Sequence, residues 1–86
     1  MTLLRLEQVK TTFGYKSHSS IYNLIRDGLF PTPIKIGIRS VGWLDTEVNG
    51  ICAARVAGVT EERIKRLVKE LEDRRMTAFD DLGGSK

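Results

Sequence analysis

The chain has 86 residues, with one cysteine, one histidine, one tryptophan, two prolines and no long apolar run. Each scarcity excludes something. A single cysteine, Cys52, forms no internal disulfide, which fits a reducing compartment. One histidine and one cysteine, far apart in sequence, make no recognisable set of metal ligands. Cys52 falls on the inner face of a helix and reads as a small buried hydrophobe rather than a nucleophile. Gly83-Gly84 follows no strand, so it is not a phosphate-binding loop. No metal, no cofactor and no catalytic centre are therefore expected. No segment approaches the roughly 20 apolar residues that span a bilayer. Arg5 and Glu7 come too early for a signal-peptide core, so a cytoplasmic location without membrane association is expected.

What is present is a small domain with a localised basic excess. A chain of this length buries only about 60–65% of the surface its unfolded form exposes, too little for a deep cleft between lobes. The formal net charge is +3. Residues 1–58 carry seven Lys/Arg against four acids, whereas residues 59–86 carry seven of each. The excess lies in the first two-thirds, compatible with a polyanionic partner without demanding one.

Breaker residues divide the chain. Leu6, Val9 and Phe13 recur at helical spacing and predict a first helix over about 6–12. Gly14 opens a tight turn. Ser17 is a natural N-cap for a second helix over 18–27, and Gly28 a natural stop. Two helices joined by so short a turn form a helix-turn-helix. Residues 33–44 hold two β-prone runs around Gly37, read as a hairpin with Arg39 near its tip. A lone hairpin is marginal in water, so it must pack on the helices, with Trp43 as the anchor. Asp45 caps a third helix over 46–57, with Val48, Ile51, Cys52 and Val56 facing inward. Thr60 caps a fourth, in which Ile64, Leu67, Val68 and Leu71 form an apolar stripe. The pairs Glu61–Lys65, Glu62–Arg66 and Glu70–Arg74 have the i, i+4 spacing. The expected fold is mainly α with a small β-hairpin: a winged helix-turn-helix over 1–58, a C-terminal amphipathic helix over 59–75 and a flexible tail over 76–86.

The second helix carries the functional pattern. Ile21, Leu24, Ile25 and Gly28 share one side, whereas Ser19, Tyr22, Asn23 and Arg26 share the other. Asn and Arg make bidentate contacts to base edges, while Ser, Tyr and backbone N–H groups hold phosphates. Lys16, Ser17 and His18 gather at the positive end of the helix, which favours anions. Lys35 and Arg39 on the hairpin then reach the adjacent backbone or minor groove as a wing. Plainer roles stand beside these: Ser17 as a cap alone, Tyr22 as a lid on the core, and Lys35 and Arg39 as charges protecting an edge strand.

Leu6-Glu7-Gln8-Val9, Gly14-Tyr15-Lys16-Ser17, Ser20-Ile21-Tyr22, Leu24 to Pro31, Pro33 to Gly37 and Arg39-Ser40-Val41-Gly42-Trp43-Leu44 with Glu47-Val48 together resemble the AlpA family of prophage regulators. These are relatives of small phage excisionases with a MerR-like winged fold. The resemblance covers roughly residues 4–56. It implies binding of double-stranded DNA beside an integrase gene or attachment site, with transcriptional activation or excision as the outcome. It places helix contacts at Ser17, His18, Ser19, Tyr22 and Asn23, and wing contacts at Lys35 and Arg39. His18 and Asn23 stand where the family often has basic residues. Integrase or RNA polymerase are the implied protein partners. One short helix reads few base pairs, so a homodimer or cooperative assembly on DNA is expected, with the stripe over 64–71 helping self-association. The alternative is a protein-binding module that blocks a regulator or recombinase.

Overall fold

The computed structural model describes residues 2–81, with side chains through Thr77. Its elements in chain order are β1 (Leu3–Leu4), α1 (Leu6–Phe13), α2 (His18–Arg26), β2 (Ile34–Lys35), β3 (Val41–Leu44), α3 (Asp45–Val56) and α4 (Glu61–Asp81). Helices dominate, and the strands form one antiparallel sheet in the order β1-β3-β2. Ile34 lies opposite Gly42 and Lys35 opposite Val41, which makes the expected hairpin. The third strand was not expected. Leu3 pairs with Leu44 and Leu4 with Trp43, but two residues carry no readable β-alternation.

The break between α1 and α2 works as the sequence implies. Gly14 has φ 74°, a left-handed conformation that a Cβ would oppose. There the Tyr15 amide donates back to the Lys10 carbonyl (2.9 Å) and closes α1. Ser17 then starts α2, its hydroxyl accepting from the Ser19 amide (3.1 Å).

Val9, Ile21, Leu29, Phe30, Trp43, Val48, Ile51, Ile64 and Val68 form one core, with contributions from all four helices. Trp43 is fully buried. Its indole N–H donates to the Pro31 carbonyl (2.8 Å), so the ring fills the core while its polar edge stays bonded. Phe30 meets Trp43 edge-on at 6.0 Å and Phe13 at 5.5 Å between ring centroids.

Several expectations need correction. Val56 is exposed, because α3 turns that face outward beyond Ile51. Cys52 is half-buried rather than enclosed. Among the described residues, only Glu70–Arg74 of the three anticipated i, i+4 pairs forms an ion pair (2.5 Å). The stripe on α4 packs against the body of its own chain. Ile64 and Val68 sit inside the core, and Leu67 and Leu71 pack against it. Helix α4 also runs past residue 75 to Asp81, since no Pro or Gly falls between Thr60 and Leu82. The remainder of the anticipated tail, residues 82–86, lies outside the described residues.

The N-terminal strand is held by a polar clamp. The Asp45 amide donates to the Thr2 carbonyl (2.8 Å). In return the Asp45 carboxylate accepts from the amides of Thr2 (3.1 Å) and Thr46 (2.8 Å). The bond from Thr2 above all holds the Asp45 carboxyl below the usual carboxylate range. A carboxyl depressed in the folded state stabilises the fold at pH values above its unfolded pKa of about 4, and that contribution disappears as pH falls through the lower folded value. Denaturant unfolding at pH 5 and pH 3 is therefore expected to show a smaller acid loss for Asp45→Asn than for the wild type. Equal losses in the two proteins would exclude the clamp as a source of acid sensitivity.

Candidate nucleic-acid interface

Helix α2 lies across the core with its two faces sorted. Ile21 is fully buried, and Leu24, Ile25 and Gly28 are half-buried. On the opposite side Ser19, Asn23 and Arg26 are exposed, as is Tyr22 at 43%. The exposure of Tyr22 argues against a role as lid on the core. The burial of Ile21 fixes the rotation of the helix, so the polar arc cannot turn inward without emptying the core.

Lys16, Ser17 and His18 are also exposed, in the turn and first residue of α2. Together with the arc they place seven of the nine anticipated residues on one short helix and its entry. Lys35 and Arg39 lie apart from these, on the hairpin. Lys35 is on β2, and Arg39 is in the turn closed by the Ile36 amide donating to the Ser40 carbonyl (3.0 Å). Both are exposed. At the tip between them Ile38 is 94% exposed. Its apolar side chain at a hairpin apex was not singled out in the sequence.

The electrostatics are less uniformly positive than the residue count implies. Among the described residues, Lys16, Lys35 and Arg39 enter no ion pair. Arg26 pairs with Asp27 (3.2 Å) at the end of α2. His18 is engaged by Glu7 of α1, its Nε2 lying 2.8 Å from the carboxylate. Lys10 approaches the same oxygen at 3.4 Å. The hydrogen bond from His18, and secondarily Lys10, holds the Glu7 carboxyl below its ordinary range. The sequence offered no contact role for Glu7. No local signal connects it to His18, because the tight turn at Gly14 is what brings the two helices face to face.

Among the described residues, no three His, Cys, Asp or Glu side chains are grouped to hold a metal ion. Among the described residues, no helix is long and apolar enough to cross a membrane.

Comparison with known proteins gives a consistent picture. The family model described as prophage CP4-57 regulatory protein (AlpA) matches residues 2–56. The match runs from β1 to the end of α3 and leaves α4 outside it. The chain is 44% identical over 55 residues to a protein of Enterobacteria phage P4 named "Uncharacterized protein ORF88". That alignment covers 64% of this chain and 61% of the phage protein, less than two-thirds of its length. No solved structure matches.

Proposed function

Because the chain belongs to the AlpA family of prophage regulatory proteins, we propose that it binds double-stranded DNA sequence-specifically through α2, with the hairpin as a wing. The observation that carries this reading is the sorting of α2: one side locked into the core, the other an exposed arc of Ser19, Tyr22, Asn23 and Arg26. A helix so anchored fits the major groove, which is about 12 Å wide. Ser19 and Asn23 face the base edges. Lys16, Ser17, Tyr22 and Arg26 hold phosphates around the rim. His18 stands at the leading turn. Lys35 and Arg39 neutralise the flanking backbone. The contacts thus fall within residues 1–58, and α4 packs onto that body through Ile64 and Val68. The target is the promoter of an integrase gene or an attachment site, where the protein acts as an activator or an excisionase alongside RNA polymerase or integrase. With Ile64 and Val68 in the core, no observation favours the rival reading as a protein-binding module.

Selection of bound genomic fragments followed by sequencing tests this directly. Recovery of an integrase promoter or attachment site is expected, and recovery of random sequence would refute it. About four to six phosphate contacts imply that log affinity falls with log salt at a slope near −4 to −5. Arg26→Ala and Arg39→Ala are each expected to reduce that slope by about one. Both side chains are exposed and distant from the core, so stability should move by less than about 0.5 kcal/mol. Arg26 must first leave Asp27, but an exposed pair of this kind holds it by only about 0–1 kcal/mol. Unchanged slopes in both variants would displace the interface from this surface.

A further inference from the structure

The contact between Glu7 and His18 is out of place on a DNA-binding face if it serves only to join two helices. Both side chains are exposed, Glu7 at 74% and His18 at 58%. A pair so open to solvent adds little to stability. It does, however, determine where one ring nitrogen points. At 2.8 Å from a carboxylate oxygen, Nε2 must carry a proton, since two acceptors would not approach so closely. The other ring nitrogen, Nδ1, is thereby left to meet a partner outside the protein. The ring stands at the first residue of α2, immediately after the Ser17 cap, where a recognition helix contacts base edges.

We propose that Glu7 is a positioning residue for base recognition: its carboxylate fixes the orientation of the His18 ring at the leading turn of α2, and its charge disfavours DNA that approaches out of register. This rests on the reading of α2 as the recognition helix. Glu7 has two roles in it, and they act in opposite directions on affinity. Holding His18 turns a mobile side chain into a preorganised one, which favours the matching sequence. Placing a negative charge beside phosphates weakens every complex, and weakens non-specific complexes most, because those derive nearly all their affinity from charge. Lys10 shares the Glu7 carboxylate and is held on the same face, with its own side chain only 14% exposed. A glutamate carboxyl is ionised throughout the neutral range in any case, and the bond from His18 lowers that of Glu7 further.

The test is a competition assay with three proteins on two duplexes: a sequence selected by the wild type, and a scrambled duplex of the same length. Glu7→Ala is expected to bind the scrambled duplex about 2–5-fold more tightly at low salt, as one repulsive charge is removed. It should lose about 5–10-fold in preference for the selected duplex, comparable to a weakened base contact. Glu7→Gln retains an oxygen that accepts from Nε2 but has no charge. It should restore most of the preference while keeping the increased non-specific binding. A merely structural contact would instead change melting temperature and leave the ratio between the duplexes untouched. If the wild type binds no duplex, the DNA-binding reading itself fails. If the wild type discriminates and Glu7→Ala discriminates equally well, the positioning role alone is overturned.

Discussion

Arg75→Ala is expected to lower stability by about 3 kcal/mol, although the residue lies beyond the region shared with the AlpA family. The reason is the group it leaves behind. Glu47 sits in α3 with its side chain only 3% exposed, and Arg75 of α4 meets it through two bonds, Nε to Oε2 at 2.9 Å and Nη2 to Oε1 at 2.7 Å. Nη2 also donates to the Thr32 carbonyl at 2.8 Å. Glu72, one turn earlier, accepts from the Thr32 amide at 2.8 Å. Helix α4 is thereby stapled to both α3 and the segment entering the wing. Glu47 in turn holds the Arg75 guanidinium above its ordinary pKa. Removing one member of a buried pair costs about 3–5 kcal/mol, because the other stays buried without compensation. Arg75 retains 23% exposure, so water relieves part of this and the lower end of the range applies. For a domain of this size the melting temperature should fall by about 12–24 °C. Thermal unfolding followed by circular dichroism measures it. The informative control is the double variant Glu47→Leu with Arg75→Met, which removes both charges and should recover most of the loss. A single variant that melts within a few degrees of the wild type would show that the pair does not brace α4.

Trp43→Ala should have the larger effect. Deleting a buried Trp side chain costs about 3–5 kcal/mol, and the Pro31 carbonyl loses its donor for roughly 1–3 kcal/mol more. Domains of this length are stable by only about 4–13 kcal/mol in all. The variant should therefore be largely unfolded at the low end of that range. Trp43 joins the wing to the body: it lies on β3, pairs with Leu4 of β1 and contacts Phe30 after α2. DNA binding should disappear with the fold. Trp43→Phe separates the two contributions, since the ring remains and the N–H does not. It should lose about 1–2 kcal/mol and still bind DNA. If Trp43→Ala melts cooperatively near the wild-type temperature, the core is not organised around this residue.

The exposed face proposed to meet DNA was largely legible in the sequence because its signals are local. A Ser cap, a Gly stop and the three- and four-residue spacing of Ile21, Leu24 and Ile25 determine which side of α2 is buried, and the polar side follows by rotation. The hairpin was legible for the same reason, through the β-prone runs about Gly37. Leu29 and Phe30 belong to the core as well. Their signal was the apolar pair just after Gly28, but two adjacent apolar residues have no period to assign them to.

The stripe at Ile64, Leu67, Val68 and Leu71 shows where sequence stops. Periodicity shows that this face must be covered, and it is silent on whether the cover is the same chain or another. Only packing resolved it, placing Ile64 and Val68 in the core. Composition and local pattern alone determined the helix-turn-helix, its capped second helix and the polar arc, because each depends on residues within a few positions of one another. Tertiary structure alone decided the third strand, the Glu47–Arg75 staple and the Glu7–His18 contact. Each of these joins groups that chain folding, rather than spacing along the sequence, brings within bonding distance, and a short-range pattern holds no record of such a meeting.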